Sequence, residues 1–184
     1  MSFLASVLAA SMAVAPPFAG FTAQDVTVDQ RFRAVGGPAA HPAVTFDPRA
    51  IPVGGTVRVT ERAGQDGTRV ELGIHGVEAN RTFGAHVHQQ PCGSAPGDSG
   101  PHYQDAKDPT QPSKDPAYAN PRNEVWLDLT TDGAGDGAAA STVTWRFRSG
   151  EARSVVIHEH ATGTAHDTAG VAGIRLACVN VPFG

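Results

Sequence analysis

Thr56-Val57-Arg58-Val59-Thr60-Glu61-Arg62-Ala63-Gly64-Gln65-Asp66-Gly67-Thr68-Arg69-Val70-Glu71-Leu72-Gly73-Ile74-His75 is the stretch that decides the fold class. Val57, Val59 and Glu61 alternate with Thr56, Arg58 and Thr60. In the second half, Val70, Leu72 and Ile74 alternate with Arg69, Glu71 and Gly73. Successive side chains on a strand point to opposite faces, so a period of two marks a strand with one buried face. Between the two runs, Gln65-Asp66-Gly67 has the composition of a turn.

The same grammar extends outward. Pro52-Val53-Gly54-Gly55 and Asp132-Gly133 punctuate further runs. Strands are expected near 43–47, 56–62, 68–75, 81–88, 124–131, 138–147, 153–159 and 174–181. Gly and Pro together make 35 of 184 residues, about 19%, against an average of roughly 12%. That excess suits many turns and excludes a helical bundle. Eight short strands without an amphipathic helix predict an all-β fold, an antiparallel barrel or sandwich. One interval breaks the rhythm. Residues 89–123 have no periodicity and hold half of the 14 prolines and both lysines. A long irregular segment inside a compact domain points to a functional loop.

The formal net charge is −4, with no run of Lys or Arg. A nucleic-acid partner and an anionic membrane surface are excluded, because both need a basic patch. Residues 1–24 read as a signal-peptide-like segment. The apolar run at 3–15 has the length of a signal core and is too short to span a bilayer. It departs from the usual pattern in having no Lys or Arg before Arg31. No other segment could cross a membrane as a helix. Residues 25–42 read as an irregular or strand-like N-terminal extension, with the main domain at 43–184.

The chemistry gathers on histidine. In Gly84-Ala85-His86-Val87-His88, residues i and i+2 of a strand present two imidazoles on one face. His158 and His160 form a second such pair, at the end of the strand Ser154-Val155-Val156-Ile157. His102 sits in Ser99-Gly100-Pro101-His102, where Gly and Pro fix a tight bend. Such a constellation points to metal binding, with Zn, Cu, Ni and Fe all suited to nitrogen ligands. His41, His75 and His166 are expected to be structural or exposed. Two cysteines allow one disulfide. A Cys92–Cys178 bridge suits an exported chain, and free buried thiols are the other reading. The bridge would close a loop of about 86 residues, for which the chain-entropy estimate is roughly 4–5 kcal/mol.

Gly84-Ala-His-Val-His88, Cys92, Gly100-Pro-His102, Val155-Val-Ile-His158-Glu and Gly173-Ile-Arg-Leu-Ala-Cys178 resemble the copper-zinc superoxide dismutases, in the same order and at similar spacing. The resemblance covers roughly residues 43–181. It implies an eight-stranded Greek-key barrel and one copper per chain, held by His86, His88, His102 and His158. It further implies that Arg175 orients the superoxide anion, that His102 takes part in catalysis, and that Cys92 and Cys178 are bonded. Superoxide is then the substrate; no oligomeric state follows. Residues 103–157 contain no His, so two of the family's zinc ligands are missing. Only 16 residues separate His158 from Arg175, a short loop for the family. Both departures resemble the copper-only branch, which implies copper without zinc as the cofactor. A metal-bound His usually donates its second N–H to a carboxylate or carbonyl. Glu124 is the candidate partner for His102, with Asp105 and Asp128 behind it. The implied function is a secreted, periplasmic or cell-envelope superoxide dismutase. The alternative is a copper-binding or storage module on the same fold. His160 is a weak candidate for a fifth ligand.

Overall fold

Gln65 and Asp66 turn the first period-two run back on the second. In the computed structural model, which describes residues 24–36 and 41–184, the two runs are antiparallel partners from Thr56↔His75 to Gly64↔Gly67. They are β4 (Thr56–Gly64) and β5 (Gly67–His75). β1 (Gln24–Arg31) pairs along its length with β4, and β9 (Gly137–Val143) pairs with β5. The first sheet therefore has the order β1-β4-β5-β9. The stretch read as an N-terminal extension supplies both β1 and β2 (Arg33–Ala34). The signal-like segment lies outside the described residues, apart from Gln24.

The second sheet has the order β2-β3-β11-β10-β7. Its other members are β3 (Ala43–Thr45), β7 (Ala85–His88), β10 (Ser154–His158) and β11 (Arg175–Asn180). All of its pairs are antiparallel except the two-residue β2–β3 contact. β6 (Thr82–Phe83) and β8 (Leu129–Thr130) form a small separate ribbon. The only helical turn among the described residues is the 3-10 turn Pro96–Ser99. The result is an all-β Greek-key sandwich, without a closed hydrogen-bonded barrel among the described residues.

Two expected strands are broken. The run at 81–88 splits at Gly84 into β6 and β7, and 124–131 is regular strand only at Leu129–Thr130. In 124–128 the chain still follows β7 loosely: Leu127 N–H donates to Ala85 O at 2.7 Å, and His86 bridges to Trp126.

The inner faces make the core. Val57 and Val59 of β4 and Val70, Leu72 and Ile74 of β5 join one cluster with Val87, Val155, Ile157, Ala177 and Val179 of the second sheet. Alternation in β4 also turns Glu61 inward, where it is fully buried. Its Oε2 accepts the Gly184 N–H at 3.2 Å, and its Oε1 has no partner. Burial pushes this carboxyl up to about 7, against smaller opposing pulls from Gly184 and Arg146.

The outer face of the second sheet is the one that matters for chemistry. Registers Val156↔His86, Ser154↔His88 and Val156↔Cys178 put these side chains on one surface. The segments 89–123 and 159–174 roof it over, so every residue of β7 and β10 is buried. Cys92 and Cys178 are disulfide-bonded, with Cα atoms 5.7 Å apart, and pin the longer segment to the sheet.

Candidate metal centre

Alternation in β7 presents His86 and His88 outward, and β10 ends on His158 beside them. His102 arrives from the long loop because residues 99–103 run antiparallel along β7. Gln90 N–H donates to Ser99 O, Gln89 N–H to Pro101 O and Tyr103 N–H to Val87 O, while His88 and His102 form a bridge. The loop is irregular in sequence yet acts locally as an added strand. A bulge between Ile157 and His158 lets two residues of β11 face one of β10 and sets Arg175 opposite His158.

Each of the four rings offers one nitrogen to a common space, and these ligand atoms all lie within 4.8 Å of one another. The remaining nitrogens are engaged. His88 Nδ1 donates to Gly100 O at 2.9 Å, and His158 Nδ1 to Gly173 O at 3.4 Å. His102 Nδ1 lies 2.8 Å from Glu124 Oε2. His86 Nε2 lies 2.7 Å from Thr162 Oγ1, and its Nδ1 is buried without a partner. Neutral imidazole carries one N–H and one lone pair. The engaged nitrogens use the N–H groups, so the inward atoms Nδ1 of His86 and Nε2 of His88, His102 and His158 are lone pairs. Nε2 of His88 and Nε2 of His158 are 3.3 Å apart with no proton between them. Converging lone pairs repel unless a cation lies among them. This donor set therefore fits a metal ion, and all-imidazole ligation suits copper or zinc.

Burial reinforces the arrangement. His86 and His88 are fully buried, which holds both rings well below the usual imidazole range. Burial likewise pulls His158 down to about 3. All three are neutral near pH 7, as ligands must be. His102 is the most accessible ring, with 18% of its side chain exposed.

Glu124 is almost completely buried and fully engaged. Oε2 accepts from His102 and from Trp126 Nε1 at 2.7 Å, and Oε1 accepts from Gln104 Nε2 at 2.8 Å. Gln104 in turn accepts the Asp108 N–H and a Gln111 N–H. The other two carboxylates considered for His102 sit elsewhere: Asp105 lies 3.8 Å from Arg148, and Asp128 bonds Thr162.

The Arg175 guanidinium is half-buried beside the rings and anchored by three acceptors. Nη1 donates to Pro96 O and Ser99 Oγ, both at 2.9 Å, and Nη2 to Gly100 O at 2.7 Å. Burial lowers its pKa somewhat, yet a guanidinium stays charged near neutral pH. Gly100 has φ +69° and ψ −164°, a conformation open to glycine alone. That twist lets its carbonyl face both His88 and Arg175. A cleft of about 230 Å³ leads to the rings, lined by His102, His158, Arg175, Lys114, Gly170 and Val171.

Of the other histidines, His160 points to solvent and pairs with Glu159 at 3.3 Å; His166 pairs with Asp167 and His75 with Asp136. Sequence reasoning did not find Thr162, Gln104, Trp126 or Lys114. Nothing in their local sequence marks them, because each acts through a partner brought close by folding.

No curated protein is matched by sequence. Among solved structures, the chain is similar to the Cu/Zn superoxide dismutase from Brucella abortus, with 16% identity, a TM-score of 0.51, and coverage of 85% of this chain and 99% of that one. It is also similar to a double mutant of a SOD-like protein from Bacillus subtilis, with 15% identity, a TM-score of 0.51, and coverage of 69% and 88%. At such identities the likeness is one of fold. The sequence itself matches the family Copper/zinc superoxide dismutase (SODC) over residues 53–181, the span that contains all four converging histidines, Glu124, Arg175 and both cysteines. The chain belongs to that family.

Proposed function

We propose that this protein is a secreted, copper-dependent superoxide dismutase that works without zinc. The observation that carries the reading is the convergence of four imidazole lone pairs beside an anchored guanidinium. His86, His88, His102 and His158 would hold one copper. Bound there, copper would supply the Cu(II)/Cu(I) couple, so that two superoxide ions and two protons become O₂ and H₂O₂.

The remaining roles fall to the chain. Arg175 attracts and orients the small anion at the end of the cleft, with Lys114 adding positive charge on its wall. The rings of His86 and His88 have no water contact, so solvent reaches the centre past His102. His102 is the ring positioned to pass a proton through Nε2 whenever that atom is not holding the metal, with Glu124 accepting from Nδ1 and fixing the ring's orientation. The absence of zinc is supported by the same carboxylate. His102 Nδ1, the atom that would face a second metal, already donates to Glu124, and residues 103–157 provide no further imidazole. The disulfide and the signal-like residues 1–24 support export. A copper-storage module would have no need of a triply anchored guanidinium, which favours catalysis.

The test is elemental analysis of the purified protein with a superoxide assay before and after copper loading. One copper per chain, no stoichiometric zinc and a copper-dependent rate are expected. Tight stoichiometric zinc would overturn the copper-only reading, and copper binding without activity would favour storage.

A further inference from the structure

Asp128 Oδ1 lies 2.6 Å from Thr162 Oγ1, and Asp128 Oδ2 accepts the Thr162 backbone N–H at 2.6 Å. Thr162 Oγ1 is in turn 2.7 Å from His86 Nε2. The proton arithmetic has one solution. An ionised carboxylate only accepts, and a hydroxyl has a single proton to give. The Thr162 hydroxyl therefore donates to Asp128 and turns a lone pair toward His86. His86 Nε2 must then be the N–H, and Nδ1 the lone pair. That Nδ1 is the buried ring nitrogen with no partner.

We propose that Thr162 and Asp128 are a positioning pair that fixes His86 in its Nε2–H form and so holds Nδ1 as an electron-pair donor to the metal. The metal part of this proposal rests on the copper reading above. His88 and His158 donate to backbone carbonyls, and His102 donates directly to Glu124. Only His86 depends on a side-chain hydroxyl, which an adjoining carboxylate points in one direction. The fold makes room for this contact. A Cβ at Gly84 would lie 2.6 Å from His160 O and 3.1 Å from Thr162 Oγ1, so the 159–174 segment can approach β7 only because residue 84 is glycine. Asp128 Oδ1 also receives the Ala85 N–H at 3.4 Å, which ties the carboxylate to the start of the same strand.

Long-range ¹H–¹⁵N correlation NMR on the metal-free full chain reads the tautomer directly, and Cu(II) competition titration reads the metal. Wild type should show Nε2–H on His86. Thr162→Val should leave that N–H without an acceptor, give a mixed tautomer, and weaken Cu(II) binding about 10–100-fold. Thr162→Ser should restore both readouts. Asp128→Asn gives the sharper result. The Thr162 backbone N–H requires the amide oxygen at the Oδ2 position, so the new NH₂ faces the hydroxyl and reverses it. His86 should then switch to Nδ1–H, the form that cannot bind metal through that atom. An Nδ1–H tautomer in wild type, or an unchanged tautomer in Asp128→Asn, would overturn the proposal. If Thr162→Val does not fold, Thr162→Ser and Asp128→Asn decide. Should wild type bind no copper, the dismutase reading falls, and the tautomer measurements still decide the pairing.

Discussion

The two sheets of this sandwich share one core and differ in what covers their outer faces. On β5, the outward residues Arg69, Glu71, Gly73 and His75 are exposed or half-buried, and they alternate with the fully buried Thr68, Val70, Leu72 and Ile74. On β7 and β10 the outward residues His86, His88, Ser154, Val156 and His158 lie under the segments 89–123 and 159–174, and no position is exposed. One outer face needs only to be polar. The other is a second interior, in which every polar atom must find a partner. That requirement turns an ordinary strand face into a centre with fixed tautomers, because roofing removes the water that would otherwise satisfy the rings. The buried carboxyl of Glu61 shows the opposite case, a polar group in the shared core with one oxygen left unpaired.

The largest effect is expected on the roofed face. His88→Ala removes a fully buried ring and should cost at least 100-fold in copper affinity, with activity lost alongside, measured by Cu(II) competition and superoxide decay. A variant that keeps both would show that the ring is not a ligand. Next in size is the roof itself. Replacing Cys92 and Cys178 by Ser should destabilise the chain by about 2–5 kcal/mol and loosen the segment that carries His102. Denaturant unfolding measures the first effect, and hydrogen exchange over 99–103 the second. Unchanged exchange there would mean that hydrogen bonds to β7 alone hold the roof.

Arg175→Ala should lower the superoxide rate about 10–100-fold with little change in copper affinity, because in the proposed mechanism the guanidinium meets the substrate and not the metal. The remaining rate should depend less on ionic strength. Stopped-flow decay across a salt series on both proteins is the measurement, and equal rates with equal salt slopes would remove Arg175 from the mechanism. The smallest effect belongs to the shared core. Because Glu61 is held at about 7 in the folded chain and is near 4.5 when free, the unfolded state gives up its proton first as pH rises. Stability is thus full below about pH 4.5, falls as pH rises to about 7, and is level above that. Glu61→Gln should remove this decline and stabilise the protein at pH 8 by about 1–2 kcal/mol. Urea midpoints at pH 5 and pH 8 test it, and a decline that persists in the variant would assign it to another group.

The solvent-facing sheet was legible in the sequence because water enforces alternation, and β4 and β5 could be read almost residue by residue. The roofed sheet was legible for a different reason: the His-x-His spacing of β7 and the histidine that ends β10 place imidazoles by strand geometry alone. Glu124 was named as the partner of His102 because a metal-bound His needs a carboxylate and the family resemblance puts Glu124 near the position of the family's zinc aspartate. What could not be read are contacts made across loops. Asp128 was considered for His102, yet it serves His86 through Thr162, 34 residues away in a segment without periodicity. The break of the expected 81–88 strand at Gly84 has the same origin, since it answers the approach of His160 and Thr162 from a distant turn.

One peptide oxygen, that of Gly100, accepts from His88 on one side and from Arg175 on the other. A ring read here as a metal ligand and the cation that would meet the substrate are therefore measured off the same atom. Motion of the loop moves both together, and their separation is kept without either touching the other. Anyone transplanting this centre to a different sandwich would need to carry that single left-handed peptide unit along with the five side chains, as a gauge block travels with the instrument it calibrates.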